Sequence, residues 1–417
     1  MVLVHSDDIS YRWLRQYKSC RSCHCGLTLL VYSNVQSECV KISQSASVAV
    51  LSHINDLNED WLCLVLGVEV NHFSATQIVG VGYASRMYRL KVDHSRGGEV
   101  PSSFILKLVT DNAAMLEIVE PSLYREVMFY QKLADKELSA FLPGIYFAKS
   151  DKEQQQLTLL MEDLGDIPPK PYAEKLENSI SAMQALAKAH AHFWNAEVLQ
   201  SDTLQAVDAG LDIDSILKAI NDSLAIEQDA EYSFPYLRTS MLNLVKFIKW
   251  TQRDTDTFKG PITLVHGDFH SRNIHFSESG PMVYDWQMIQ RGQPARDVIY
   301  WLITSVAAKD FAEHQPILID AYLKALRENG VADYDLKAFR KDSPDTAMEV
   351  IARVYCYQGL ITVSDEDQQE VVDWIANAEH LAKQVHMLAM TRIGRVIYPL
   401  VGRIKLWFVR FKKRSAA

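Results

Sequence analysis

No apolar run in the 417-residue chain approaches the roughly 18–20 residues that a bilayer span requires, so nothing in it is expected to cross a membrane. Cysteine is scarce. The six cysteines, Cys20, Cys23, Cys25, Cys39, Cys63 and Cys356, are too thinly spread for a disulfide framework. Cys20-x-x-Cys23-His24-Cys25 is half of a metal site by spacing, but no second ligand pair stands nearby, and ordinary reduced thiols are the better reading. A basic excess is also missing: the net charge is −9, which argues against nucleic acid as a partner. No G-x-x-x-x-G-K-[ST] occurs, which excludes a Walker-type loop as a phosphate site. Internal repeats and long low-complexity segments are absent. Near the N-terminus only Leu27 to Tyr32 is apolar, after a charged and Cys-containing segment. That makes a poor signal peptide, and a cytoplasmic location is expected.

What is present suits a folded protein. Hydrophobic residues make up 48% and charged residues 23% of the chain, and its length suffices for about two or three domains' worth of core. Residues 1–54 lack sustained periodicity and read as an extension. A short helix opens at Glu59-Asp60-Trp61-Leu62 and ends near Gly67. Strand-like runs follow at Ala75 to Val79, Met87 to Val92 and Phe104 to Val109, the last two separated by the hairpin-like turn Asp93 to Gly98. Glu120-Pro121 begins a predicted helix to about Ala134, with Leu123, Val127, Tyr130 and Leu133 as its apolar face. Two more strands are expected near Ile145 to Ala148 and Leu157 to Met161. Beyond Gly165 the pattern turns helical, over Ser179 to Leu199 and then 213–227, 236–252, 296–307, 311–328 and 345–362. One irregular stretch, 261–297, interrupts it. The expected plan is therefore α+β and bilobal: extension 1–54, a small β-rich N-lobe at 55–165, a large mainly helical C-lobe at 166–390, and a tail at 391–417.

The irregular stretch holds the residues with chemistry. Leu264-Val265-His266-Gly267-Asp268-Phe269-His270-Ser271-Arg272-Asn273 presents a carboxylate and, five residues later, an amide oxygen. Twelve residues further on, Asp285 follows an apolar strand and precedes Trp286. Phosphoryl transfer from ATP needs little else: held phosphates, Mg²⁺, and a carboxylate to accept the acceptor's proton. One carboxylate plus one amide suits Mg²⁺, a hard cation that keeps waters and shares phosphate oxygens.

This ordered set, H-G-D-x-x-x-x-N, then D-W-Q with Gly292 and Asp297, resembles the antibiotic and choline kinase branch of the protein-kinase-like fold. It is most similar to the ecdysteroid kinase-like (CHK kinase-like) family, over roughly residues 56–385. The resemblance implies ATP and Mg²⁺ as cofactors, Asp268 as catalytic base, and Asn273 and Asp285 as metal ligands. It also implies that His266 braces the loop, that His270 approaches the γ-phosphate, and that Asp297 is a buried acid holding the region together.

A kinase-like small lobe needs a strand lysine for the α/β-phosphates and a helix glutamate to pair with it. Lys107 lies inside the apolar run Phe104 to Val109, where an unpaired charge would be costly, and Glu126 is its natural partner. Lys91 and Glu120 are the rivals. The turn Gly80-Val81-Gly82-Tyr83-Ala84-Ser85 would cover the phosphates with backbone N–H groups, with Ser85 where a third glycine would stand; a plain hairpin turn explains it nearly as well. Leu159 to Gly165 fits the hinge where adenine would bind, with Met161 and Asp163 as candidate contacts and Asp163 solvated or beside the ribose. His190 and His192 read as packing residues.

Residues 391–417 carry eight basic residues and no acid, interleaved with apolar ones. A basic amphipathic stretch reads as a peripheral membrane contact; docking on the acidic body of the protein is the alternative. The acceptor is expected to be a small-molecule alcohol. Tyr300, Trp301, Phe311, Tyr322, Tyr355 and Tyr357 in the helical stretch suggest one with a large apolar body, such as a steroid. A protein Ser/Thr acceptor is disfavoured by the lack of an A-P-E element after Asp285. An inactive scaffold is disfavoured by the presence of Lys107, Glu126, Asp268, Asn273 and Asp285 together.

Overall fold

The computed structural model of the protein describes residues 48–78, 85–95, 100–111, 116, 122, 124–165, 172–173, 175–200, 204, 260–356 and 368–389. Most of the extension, Gly80 and Gly82, the runs at 213–227 and 236–252, and the tail at 391–417 lie outside the described residues.

The small lobe opens with α1 (Glu59–Leu66), started by the Asn58 side chain accepting the Trp61 N–H at 2.9 Å and closed by left-handed Gly67. Five antiparallel strands follow: β1 (Val70–Ile78), β2 (Ser85–His94), β3 (Ser103–Val109), β4 (Ile145–Asp151) and β5 (Gln156–Glu162), in the order β1-β2-β3-β5-β4. Central β3 is buried along nearly its whole length, whereas edge strand β1 is mostly exposed. Period-two alternation splits β3 between two cores. Phe104, Leu106 and Leu108 join Trp61, Leu62, Leu90 and Leu160 beneath α1. Ile105 and Val109 join Val127, Leu159 and Met161 on the other face, and Lys107 shares that face by register. Residues 48–54, expected to belong to the extension, pack on this lobe: Val48 and Leu51 are buried, and the Leu51 N–H donates to Thr158 Oγ1 at 2.7 Å.

The helix carrying Glu126 is α2 (Arg125–Met128), which widens into a π-turn over Phe129–Leu133. The expected start at Glu120-Pro121 lies outside the described residues. Of its predicted apolar face, Val127, Tyr130 and Leu133 are buried.

The large lobe contains α3 (Leu176–His192), β6 (Thr263–Val265), β7 (Ile274–Ser277), β8 (Gly280–Val283), β9 (Gln290–Gly292), α4 (Ala295–Thr304), α5 (Phe311–Glu328), α6 (Leu336–Cys356) and α7 (Gln368–Ala389). The expected helix at 179–199 ends at His192 and gives way to a 3₁₀ turn, Glu197–Gln200. Every residue of α4 is buried, including the polar Arg296, Asp297 and Thr304. The helices α6 and α7 pack on α4, and Asn377 of α7 caps its end by donating to the Ile303 and Val306 carbonyls at 3.0 and 2.7 Å. Short pairs β6-β9 and β7-β8 present the loops between them to the small lobe. Among the described residues, no helix is long and apolar enough to cross a membrane.

Candidate active site

The three residues of β6 are buried, so the chain leaves the core at His266 with its backbone still to be satisfied. Asp297, in the first turn of α4, supplies the acceptor. Its carboxylate takes the His266 N–H at 2.6 Å and the Gly267 N–H at 3.0 Å. His190 of α3 reaches the same carboxylate through Nε2 at 3.2 Å, and accepts at Nδ1 from the Tyr322 hydroxyl at 2.8 Å. Burial alone would raise the Asp297 carboxyl, but the hydrogen bond from His190 and the nearby positive charge of Arg296 hold it below the ordinary range. Gly267 sits at φ +82°, and a Cβ there would lie 2.1 Å from the Met288 carbonyl oxygen, so only glycine fits.

His266 braces the turn as a buried ring. Its Nε2 donates to the Tyr284 carbonyl at 3.1 Å, and its Nδ1 accepts the Asp268 N–H at 3.3 Å. Burial pushes its pKa down, against the pull of Asp297 and Asp268. Asp268 keeps its carboxylate partly exposed: Oδ1 accepts from the Tyr300 hydroxyl at 2.7 Å, and Oδ2 lies 3.3 Å from His270 Nε2. His270, expected near the γ-phosphate, is turned into its own loop, where Nδ1 accepts the Arg272 N–H at 3.2 Å. Asn273 is anchored by Nδ2 donating to the Asp268 carbonyl at 3.0 Å.

Asp285 follows β8 in the left-handed region, φ 62° and ψ 57°, a conformation that aspartate tolerates better than most residues. The turn brings its Oδ1 within 2.8 Å of Lys107 Nζ, and Lys107 also donates to Glu126 Oε2 at 2.6 Å. Lys107 is buried between them. Burial would lower its pKa, but the two carboxylates outweigh that and hold the ammonium above its ordinary range. Next along the chain, Trp286 stacks on Phe129 of the π-turn with ring centroids 4.1 Å apart. The Arg125 guanidinium donates to the Ile289 carbonyl at 3.2 Å. The helix bearing Glu126 is thereby fastened to the segment bearing Asp285. The rival Lys91 is exposed and donates to Ser103 Oγ at 2.9 Å.

At the small-lobe end, Ser85 opens β2 opposite Val109, on the same sheet face as Lys107, and its buried hydroxyl has no hydrogen-bond partner among the described residues. Met161 is buried opposite Ile105 on that face. Of the two alternatives for Asp163, solvated or beside the ribose, the solvated one does not hold. Arg89 Nε meets its carboxylate at 2.8 Å, the Gly165 N–H donates to it at 3.1 Å, and the Ser103 hydroxyl makes a short bond to it. Burial would raise that carboxyl, but the Ser103, Gly165 and Arg89 hydrogen bonds hold it below the ordinary range. Asp163 thus ties the hinge to β2 and β3.

The structure therefore brings together Asp268, His270, Asn273, Asp285, Lys107 and Glu126, and sets Asp297 and His266 behind them. Sequence reasoning missed Tyr300 as a partner of Asp268, Arg89 as the partner of Asp163, and the contact of Lys107 with Asp285. Spacing offered one signal: Asp297 and Tyr300 are three apart on one helix, hence on one face. Asn273 Oδ1 and the Asp285 carboxylate are hard oxygen donors, and no group of three or more His, Cys, Asp or Glu among the described residues is arranged to hold a metal. A sparse set of this kind fits Mg²⁺, which brings waters and substrate phosphates to complete its shell.

A lysine–glutamate pair in a β-lobe, facing a helical lobe with an Asp-x-x-x-x-Asn loop and a second aspartate, defines an α+β, two-lobed protein-kinase-like fold. The model of the ecdysteroid kinase-like family matches residues 79–331, and the chain belongs to that family. Among solved structures, the chain is similar to choline kinase from Cryptosporidium parvum Iowa II, with 9% identity over 78% of this chain and 93% of that one and a TM-score of 0.49. It is also similar to macrolide 2'-phosphotransferase from Brachybacterium faecium, with 14% identity over 76% and 96% and a TM-score of 0.40. No curated protein matches the sequence.

Proposed function

We propose that this protein transfers the γ-phosphate of ATP to a hydroxyl of a small molecule, with Asp268 as the general base. The observation that carries the reading is the convergence of Asp268, Asn273, Asp285 and the Lys107–Glu126 pair on one cleft, drawn from segments up to 178 residues apart. Lys107 is placed to bind the α/β-phosphates, and Glu126 keeps its ammonium aimed there. Asn273 and Asp285 would hold Mg²⁺, which when bound neutralises charge on the phosphate oxygens. Asp268 takes the acceptor's hydroxyl proton as that oxygen bonds to the γ-phosphorus. The bond from the γ-phosphorus to the β,γ-bridging oxygen breaks, and ADP leaves.

For the acceptor, a bulky apolar alcohol such as a steroid is supported by membership of the family. The aromatic residues that suggested it from the sequence give it less support, because Trp301, Phe311 and Tyr322 are buried in the core and the Tyr300 hydroxyl is turned to Asp268. A cytoplasmic enzyme with a peripheral membrane contact through residues 391–417 remains part of the proposal. ATP consumption against a library of sterols, amino alcohols, sugars and macrolides tests the reading. ADP formation stimulated by one alcohol class supports it, and acceptor-independent silence across the library counts against it.

A further inference from the structure

We propose that Tyr300 is a positioning residue for this transfer: its hydroxyl pins the base carboxylate by Oδ1 and leaves Oδ2 to take the acceptor's proton. The inference rests on the reading of Asp268 as the base. Tyr300 and Asp297 lie three residues apart on α4, so one face of a wholly buried helix grips the loop twice. Asp297 holds the loop's backbone through the His266 and Gly267 N–H groups, and Tyr300 holds its carboxylate at 2.7 Å.

The two oxygens of Asp268 are therefore unequal. Oδ1 receives the short bond from Tyr300. Among the described residues, the contacts recorded to Oδ2 are longer, 3.3 Å to His270 Nε2 and 3.4 Å to Asn273 Nδ2. His270 accepts the Arg272 N–H at Nδ1, which assigns its ring proton to Nε2, 3.3 Å from both Asp268 Oδ2 and Asn273 Nδ2. A carboxylate on a loop rotates about its side-chain torsions unless something holds it, and misorientation at a reacting group is costly. Tyr300 keeps its own proton throughout the transfer. It acts through Asp268 and not on the acceptor.

Tyr300→Phe keeps the ring in its packing and deletes the hydroxyl. ADP release from MgATP, with water as acceptor and with each library alcohol, should fall roughly 10- to 100-fold, the scale of lost orientation at a reacting group, with KM for ATP unchanged. In an Asp268→Asn background the same change should cost nothing further, because the two side chains act as a unit. A contact readout independent of turnover is the Cζ resonance of Tyr300 in ¹³C-tyrosine-labelled protein, assigned by its loss in Tyr300→Phe, which should shift in Asp268→Asn. Equal losses in both backgrounds, an unmoved resonance, or full activity of Tyr300→Phe beside a dead Asp268→Asn would each overturn the role of Tyr300. Full activity of Asp268→Asn would instead overturn the base assignment itself, and the role of Tyr300 with it.

Discussion

Replacing Lys107 with methionine removes a charge while keeping most of the volume. Its Nζ lies 2.6 Å from Glu126 Oε2 and 2.8 Å from Asp285 Oδ1. Asp285 is partly exposed and can turn to water, but Glu126 is 1% exposed and cannot. Removing one partner of a buried pair typically costs about 3–5 kcal/mol, because the other charge is stranded. At roughly 2–4 °C per kcal/mol for a domain of this order of size, Tm should fall by about 6–20 °C. Burial already pushes the Glu126 carboxyl up, and Lys107 pulls it back. Without Lys107 it rises further. A carboxyl raised in the folded state keeps its stability below the ordinary glutamate pKa of about 4.3 and loses it as pH climbs through the folded value. The deficit should therefore be larger near pH 8 than near pH 5, roughly the span over which such a group ionises. Thermal denaturation of Lys107→Met at both pH values, beside Lys107→Met/Glu126→Leu, measures it. The double variant should recover much of the stability while failing to bind MgATP. A single variant as stable as the parent at both pH values, or a double variant no better than the single, would refute the reasoning.

Asp163→Asn should flatten the acid limb of stability. The Asp163 carboxyl is held below its ordinary value, so it contributes stability above about pH 4 that is lost as pH falls through the native value; urea melts between about pH 5 and pH 2.5 would show this. Gly267→Ala must displace the Met288 carbonyl 2.1 Å away and strain a left-handed backbone, and should lose both transfer and Tm, read by thermal shift and ADP release. The eight basic residues of 391–417 should give salt-sensitive flotation with anionic liposomes, each contributing on the order of 1 kcal/mol near the surface. Deletion of the tail should remove that binding, and a full-length protein that stays off the liposomes at low salt refutes it.

Much of this was legible in the sequence. Lys107 stood out because a charge inside Phe104 to Val109 demands a partner, and the structure supplies Glu126 nineteen residues on. The five small-lobe strands were readable as strand-like runs, although β1 begins at Val70 and not at the expected Ala75, and α5 was expected over 311–328, the span it occupies. The loop from His266 to Asn273 announced itself by the spacing of its carboxylate and amide. What escaped lies in long-range pairing. Arg89 and Asp163 are 74 residues apart, and His190 and Asp297 are 107 apart; periodicity carries no record of either. Tyr300 was hidden for another reason. In a helix buried on all sides an aromatic residue reads as core, and only the loop packed against it shows that its hydroxyl faces a carboxylate. Residues 48–54 were grouped with an extension that as a whole lacks periodicity, yet buried Val48 and Leu51 and a few backbone hydrogen bonds suffice to seat them on the sheet.

The most direct test of the central claim is the rate of ADP formation by Asp268→Asn against the parent, with the acceptor found in the library and with MgATP binding followed by thermal shift. If Asp268 is the base, the rate falls by about 10²–10⁴-fold, the usual contribution of a general base, while the MgATP shift is preserved. A variant that keeps more than about a tenth of the parent rate would contradict the assignment.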